Sequence, residues 1–531
     1  MIARTKLLPR TRRLPVRHFA VALLVVATAL ALNANAAELS ALASALETIT
    51  ADQLKEHTDT LADDSFEGRE GGSRGGKATA NYLMTRLEGY GLSPGGKSGS
   101  YFQSFGSYRN VLAVLPGSDE QLKEEYIILG AHFDHVGYGT RKNAYGAGFI
   151  HNGADDNASG TAALLEVAQA FAEMEVAPRR SILFAFWDAE EKGLLGSKHW
   201  VANPTVPLDK VRLKINADMV GRMEDEKVIV YGTRTAPGLR RIVAEANQGI
   251  DLNVSYVWWI NPRSDHYTFV KKQVPVLMLH TGLHKDYHRP SDDAHRLNID
   301  GLQRTSKLLF STAHDLANRD DVPRWRKEAA WESTSHRKTF ESAPAASPPR
   351  LGVSWESVAE QGEESGLLVK GVSQGSSAEA AGVLPGDRIT AFNGRAINSG
   401  EELRAQVLAS PQDVEIVVRR KSSDEPITLK AKLPGQPVQL GISWRENSAE
   451  PGAVTVVKVI EGSPAYAAGI RRLDRIYAVD GERFANSDAF EKVVLPKNRT
   501  VRFLLERAGR LFAVEVKPNL LAGDSPETRQ E

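Results

Sequence analysis

The sequence predicts an α/β fold: a mixed, mostly parallel central sheet flanked by helices, followed by two small β-rich domains. Three observations carry this expectation. From about residue 38 to residue 318, apolar runs without polar alternation are interleaved with helical patterns, as in sheets covered on both faces. Near residue 345 a stretch of Pro, Ala and Ser interrupts the pattern. Beyond it, one block of sequence occurs twice.

At 531 residues the chain is too long for a single core. Its 42% hydrophobic and 25% charged residues are ordinary for a globular protein. Cysteine is absent, which excludes disulfides, thiolate metal sites, cysteine nucleophiles and a lipidated cysteine anchor. Residues 1–36 read as an export signal. Arg4, Lys6, Arg10, Arg12, Arg13 and Arg17 make it basic, Phe19 to Leu32 is an apolar run short for a membrane span, and Ala34-Asn35-Ala36 supplies a small-x-small cleavage site. A periplasmic or secreted location is expected, with no stable membrane anchor after cleavage. The formal net charge is zero, and about −6 without the six basic residues of the signal. No basic stripe points to nucleic acid.

Taken in order, Tyr126 to Gly130, Ser181 to Trp187, Val211 to Ala217 and Val274 to His280 read as buried strands. Leu164, Leu165, Ala168 and Phe171 recur at helical spacing, so Thr161 to Ala172 reads as a helix. These elements belong to a domain over 37–318. Residues 319–349 read as a linker, with Trp325 and Trp331 as candidates to pack back onto that domain. Then Leu351-Gly352-Val353-Ser354-Trp355 recurs as Leu440-Gly441-Ile442-Ser443-Trp444, and Ser376 to Asp387 recurs as Ser463 to Asp474. Asn393-Gly394 and Asp480-Gly481 are hairpin signals. Two tandem domains over 350–434 and 435–518 are expected, with a disordered tail over 519–531. The second copy has Arg472-Leu473-Asp474 where the first has Pro385-Gly386-Asp387, so a different local turn is expected there.

His132, Asp155, Glu190-Glu191, Asp218 and His288 each lie past the carboxyl end of a predicted strand, where open α/β sheets bind their ligands. Zinc takes imidazole and carboxylate ligands, and two zinc ions a few ångströms apart need one shared carboxylate. Asp155, in a glycine-flanked loop, is the expected bridge, and one glutamate is left over as a base. Two Zn2+ per chain are therefore expected. Taken singly, Asp155-Asp156-Asn157 also suits a turn and helix cap; the weight lies on the set.

The segment from about Glu38 to Asn318 resembles the co-catalytic zinc peptidase family of bacterial leucyl aminopeptidases and glutamate carboxypeptidases (metallopeptidase family 28). The resemblance rests on AHFDHVG (131–137), GADDNASG (153–160), AEEKGLLGS (189–197), NADMVGR (216–222) and YHRPSD (287–292). It implies a zinc exopeptidase fold, one zinc on Asp155, Glu191 and His288, and the other on His132, Asp155 and Asp218. It makes Glu190 the general base and implies a cis peptide between Asp155 and Asp156. Asp134 and Asp156 would stand behind the ligands, Asp134 fixing the tautomer of His132. The family commonly has Gly where this chain has Ala189. Ser264, Asp265 and His266 resemble a stretch that lines the substrate cleft in relatives, and Trp258, Trp259 and Phe269 are candidates for the first-residue pocket. His135, His151, His280, His284 and His295 are left without a role.

Each repeated block resembles a PDZ domain of the kind attached to exported bacterial proteases. Leu351, Gly352 and Val353, and Leu440, Gly441 and Ile442, match the loop that holds a peptide's terminal carboxylate, with β-strand addition beside it. Expected partners are thus peptide substrates and peptide or protein C-termini. The expectation as a whole is an exported zinc aminopeptidase. The rivals are a carboxypeptidase using Arg263 or Arg289 as a clamp, a glutaminyl-cyclase-like enzyme, and a PDZ-led binding protein with an inert peptidase domain.

Overall fold

The structure is a computed structural model that describes residues 40–140, 145–345, 348–356, 365–494 and 499–519. The export signal expected over 1–36 and the tail beyond Asn519 lie outside the described residues. No described helix is long and apolar enough to cross a membrane.

The first domain is built on β1 (Ser93–Pro94), β2 (Phe102–Phe105), β3 (Tyr108–Leu115), β4 (Tyr126–His132), β5 (Ser181–Trp187), β6 (Val211–Ala217), β7 (Lys227–Tyr231), β8 (Asn253–Tyr256) and β9 (Val276–His280). They form one mixed sheet in the order β1-β3-β5-β4-β6-β9-β7-β8, with β2 paired to β3. The centre, β5-β4-β6-β9, is parallel, while β3 joins β5 and β7 joins β9 antiparallel. The apolar runs read from the sequence are these central strands. Every residue of β5 and β6 is buried, and each fully buried Leu, Ile or Phe contributes roughly 1.5–3 kcal/mol.

Helices Ala51–Leu61, Gly160–Ala172 and Ile299–Asn318 cover one face, with Leu164, Phe171, Leu309 and Phe310 packed against Ile127, Leu129 and Phe184. Helices Leu195–Ala202 and His266–Val270 cover the other, where Trp200 and Phe269 pack on Trp187. Phe269 is therefore core and does not line a substrate pocket.

The segment expected as a linker is largely folded. It carries a short helical turn at Lys327–Ala330 and a helix at Thr334–Glu341. Trp331 is 60% exposed, so it does not pack back; Arg326 does, donating its backbone N–H to Thr235 and its side chain to the carbonyl of Arg234.

The repeat folds into two small sheets. In the first, β10 (Val353–Trp355), β11 (Leu367–Val372), β12 (Arg388–Phe392), β14 (Asp413–Arg419) and β15 (Ile427–Lys432) run in that order, with β13 (Arg395–Ala396) paired to β12. In the second, β16 (Ile442–Arg445), β17 (Val454–Val459), β18 (Arg475–Val479), β19 (Val501–Arg507) and β20 (Arg510–Val516) repeat the order. Each copy has its own apolar core and a helix beside its first strand, Gly400–Ala409 and Ser487–Val494. The turn expected to differ is kept. Leu473 adopts φ +74° where Gly386 has +90°. Its N–H donates to Val456, as that of Gly386 donates to Val369.

Candidate metal centre and substrate cleft

The carboxyl ends of β4, β5, β6 and β9 bring the candidate residues together. His132 ends β4, Glu190 and Glu191 follow β5, Asp218 follows β6, and His288 lies in the loop after β9. Two groups of metal-ligating side chains form there: His135, Asp156, Glu191 and His288, and His132, Glu190 and Asp218, each with donor atoms within 4.8 Å of one another.

The aspartate joining the groups is Asp156, not Asp155. Its Oδ1 lies 3.3 Å from His132 Nε2 and its Oδ2 lies 3.1 Å from His288 Nε2. The Asp155 carboxylate turns away. It accepts from the Gly221 N–H at 2.7 Å and the Ser159 hydroxyl at 3.1 Å, and its other oxygen lies 3.1 Å from His284 Nε2. The cis peptide is likewise one residue further on, between Asp156 and Asn157. Asn157 ties this loop to the end of β6, donating to the Ala217 carbonyl and accepting from Gly160 and Met219.

The donor separations suit zinc. A tetrahedral site with bonds of about 2.0–2.2 Å has edges of about 3.4 Å. His288 Nε2 to Glu191 Oε1 is 3.1 Å, and His132 Nε2 to Asp218 Oδ1 is 3.6 Å. His132 Nδ1 donates to the backbone carbonyl of Asp134 at 3.1 Å, which leaves Nε2 facing the carboxylates of Asp156 and Asp218. The Asp134 carboxylate, 3.8 Å from that ring, instead accepts the backbone N–H groups of Glu190 at 2.9 Å and Glu191 at 3.3 Å. The expected role of Asp134 thus divides, its backbone fixing the histidine and its side chain holding both glutamates. Ala189, before them, has φ +56° and is fully buried, a conformation that favours the glycine common in the family.

Electrostatics follow from crowding five acids and three imidazoles. Burial would lower the proton affinity of His132, but Glu190, Asp218 and Asp156 raise it well above the ordinary histidine value. His288 is opposed by burial yet pushed up to about 11 by Asp156 and Glu191. Asp156, despite its burial, is held well below the usual carboxylate range by His132 and His288. Glu190 goes the other way: burial, aided by Asp265, Glu191 and Asp218, raises it well above, against the pull of His132.

Several supporting residues were given no role from the sequence. His135 Nδ1 lies 2.9 Å from Glu191 Oε1, and only its position in AHFDH hinted at it. The carboxylate of Asp292 accepts the N–H groups of Asp155 at 3.0 Å and Asp156 at 3.1 Å, and burial beside Asp155 pushes it up to about 7. Arg69, fully buried, donates to the carbonyls of Phe133, Asn152 and Gly153, clamping two site loops together. Ser264, Asp265 and His266 are buried behind the site and do not line the cleft. The Ser264 hydroxyl donates to Asp218 Oδ2 and accepts from Asn216, whose carbonyl oxygen accepts from the ammonium of Lys214. Lys214 is wholly buried and lowered by that burial to about 7.

The cleft in front of the centre holds about 580 Å³. Met219, Ile229, Tyr231, Trp259, Met278 and Leu283 supply its apolar walls, and Arg263 is exposed at its rim. Of the aromatic candidates for the first-residue pocket, Trp259 lines this cleft. Trp258 is buried against Phe340 instead. Leu351, Gly352 and Val353 line a second groove of about 310 Å³ beside the helix Gly400–Ala409. In the other copy Leu440 and Gly441 are buried, and Ile442 packs partly against the core.

Residues 110–313 match peptidase family M28, and residues 349–433 and 438–517 each match the PDZ domain. Leupeptin-inactivating enzyme 1 of Streptomyces exfoliatus is 28% identical over 264 residues, 50% of this chain and 55% of that protein. Leucine aminopeptidase 2 of Arthroderma otae is 31% identical over 237 residues, 38% of this chain and 44% of that protein. The chain spans about half the length of these curated relatives. The Legionella pneumophila LapA aminopeptidase aligns with a TM-score of 0.44 at 23% identity, over 53% of this chain and 74% of that one.

Proposed function

Since this chain joins a peptidase family M28 domain to two PDZ domains, we propose that it is an exported zinc-dependent aminopeptidase. It removes N-terminal residues from peptides, and its PDZ domains recruit or regulate. The observation that carries this reading is Asp156, whose two oxygens face two different imidazoles while Glu190 stands beside one of them. His132, Asp156 and Asp218 would hold one zinc and Asp156, Glu191 and His288 the other, with His135 packed against Glu191.

When bound, zinc would polarise the scissile carbonyl and acidify the attacking water. Glu190, beside His132 and outside the two proposed ligand sets, would take a proton from the attacking water at its carboxylate and return it to the leaving amine. The apolar walls suit a large apolar first side chain, and the leucine aminopeptidases among the relatives agree with that preference. The basic, apolar N-terminus and its small-x-small site support export to a periplasm or the medium. Arg263 at the rim favours, as a second reading, capture of a substrate carboxylate.

The test is release of amino acids from unblocked and N-acetylated peptides, with and without a chelator, beside Glu190→Gln. Chelator-sensitive release from free amines alone, falling about 10²–10⁴-fold in Glu190→Gln, is expected. Release from acetylated peptides would move the reading to a carboxypeptidase. Failure to bind zinc would leave a PDZ-led binding protein.

A further inference from the structure

One wall of the cleft is a loop, residues 257–263, between β8 and the helix His266–Val270. Trp259 lies on its inner side, edge-on to Tyr231 at 5.8 Å and 41% exposed, and Asn261, Pro262 and Arg263 continue the lining. Trp258 lies on its outer side, 6% exposed. The Arg234 guanidinium sits over the Trp258 ring at 3.6 Å, and Phe340 of the Thr334–Glu341 helix packs on it at 5.5 Å.

Arg234 does not stand alone. Its Nε and Nη2 donate to the two oxygens of Glu332 at 2.6 Å each, and its Nη1 donates to Asn447 Oδ1 at 3.2 Å. Glu332 also accepts from Arg326, which donates to Ser448 Oγ at 3.2 Å. Arg445 donates to the carbonyls of Thr339 at 2.7 Å and Phe340 at 2.6 Å. Asn447, Ser448 and Arg445 all belong to the second PDZ domain. A stacked, bidentate and buried guanidinium is a rigid mount, because its planar fork loses little freedom per bond formed and its cation–π contact is desolvated.

We propose that the second PDZ domain is a structural part of the substrate cleft. Through Asn447 and Arg445 it fixes Arg234 and Phe340 behind Trp258, and so sets the width available to the first side chain of the peptide. Arg234 is then a positioning residue for substrate, acting on the far side of the wall from the chemistry. This rests on the reading of the cleft as the first-residue site.

The experiment uses the full chain with Arg234→Lys, which keeps the charge and loses the fork, and Asn447→Ala on the PDZ side. Hydrogen exchange across 257–263 and zinc content are measured with kcat and KM for peptides beginning with Phe, Leu or Ala. The expected result is faster exchange in that loop and a KM for Phe and Leu peptides raised about threefold to tenfold, with kcat, zinc content and the Ala peptide little changed. Unchanged exchange and KM in folded Asn447→Ala overturn the inference, also where Arg234→Lys fails to fold. Should no peptide be cleaved by the wild type, the proposed function fails, while exchange across 257–263 still decides the brace.

Discussion

The two PDZ copies share a sequence signature and a strand order, yet the molecule uses them differently. The first reaches outward to the second, through Arg404 to Glu461 and the Val438 N–H to the Leu408 carbonyl. The second is built into the peptidase domain. Arg240 pairs with buried Glu506 through two bonds at 2.7 and 3.2 Å, and the carbonyls of Ala449 and Ala508 accept from the backbone N–H groups of Gly238 and Val254. The grooves differ in the same sense. In the first copy a groove is lined by Leu403 and Val407 of its helix and by Ile460 and Glu461 of the second copy. In the second, Phe490 contacts Trp444, Phe484 and Phe503, and the Trp444 indole donates to Ser487 at 2.8 Å, joining edge strand to helix. A repeated motif therefore specifies a fold, and the residues that vary between copies decide whether it presents a groove or an interface.

The sharpest way to break this contrast is to cut one outward tie from each copy. Arg240→Ala leaves Glu506 buried without its cation, and loss of one partner of such a pair costs about 3–5 kcal/mol. Arg404→Ala removes a pair in which Glu461 is 58% exposed, worth at most about 1 kcal/mol. Urea unfolding of the two variants measures both. Equal losses would mean that the copies are docked alike.

Acid sharpens the contrast next. Burial raises the Glu450 carboxyl, but Arg475, Arg240 and Arg234 outweigh it and hold the group below the usual carboxylate range. A depressed folded value means the contribution is fully present above the unfolded carboxylate pKa of about 4.3 and is lost as pH falls through the folded one. The wild-type urea midpoint is expected to fall more between pH 6 and pH 3 than that of Glu450→Gln, measured relative to each protein's own value at pH 6. An identical fall in both would show that Glu450 is not the titrating link.

The sequence made this fold legible because buried parallel strands announce themselves as unbroken apolar runs, and because the repeat could be aligned with itself. The site was legible to within one residue. Asp155 and Asp156 are adjacent and chemically alike, so only the turn at 154–159 decides which carboxylate faces the imidazoles and which is spent on Gly221 and Ser159. Lys214 was hidden for another reason: period and composition place it on a strand, but its reach through Asn216 to Asp218 depends on Ser264, 48 residues from Asn216 in sequence. The folded segment 326–342 was hidden because its order comes from contacts on both sides, with few apolar residues of its own.

The smallest expected effect tests a turn where the copies differ in sequence but agree in geometry. Leu473 holds φ +74° to make the turn that Gly386 makes freely at +90°. A left-handed conformation costs a residue with a side chain about 1–2 kcal/mol, and glycine gives back about 0.5–1 kcal/mol in unfolded-chain entropy. Leu473→Gly is therefore expected to stabilise the protein by roughly 0.5–1 kcal/mol, and Gly386→Leu, whose added carbon meets open space, to destabilise it by a similar amount. Calorimetry of both reads the same backbone strain with opposite signs. If Leu473→Gly instead loses stability, the leucine is retained for its packing near Arg240, Tyr256 and Arg337, where the second copy meets the peptidase domain, and the turn is secondary to the interface.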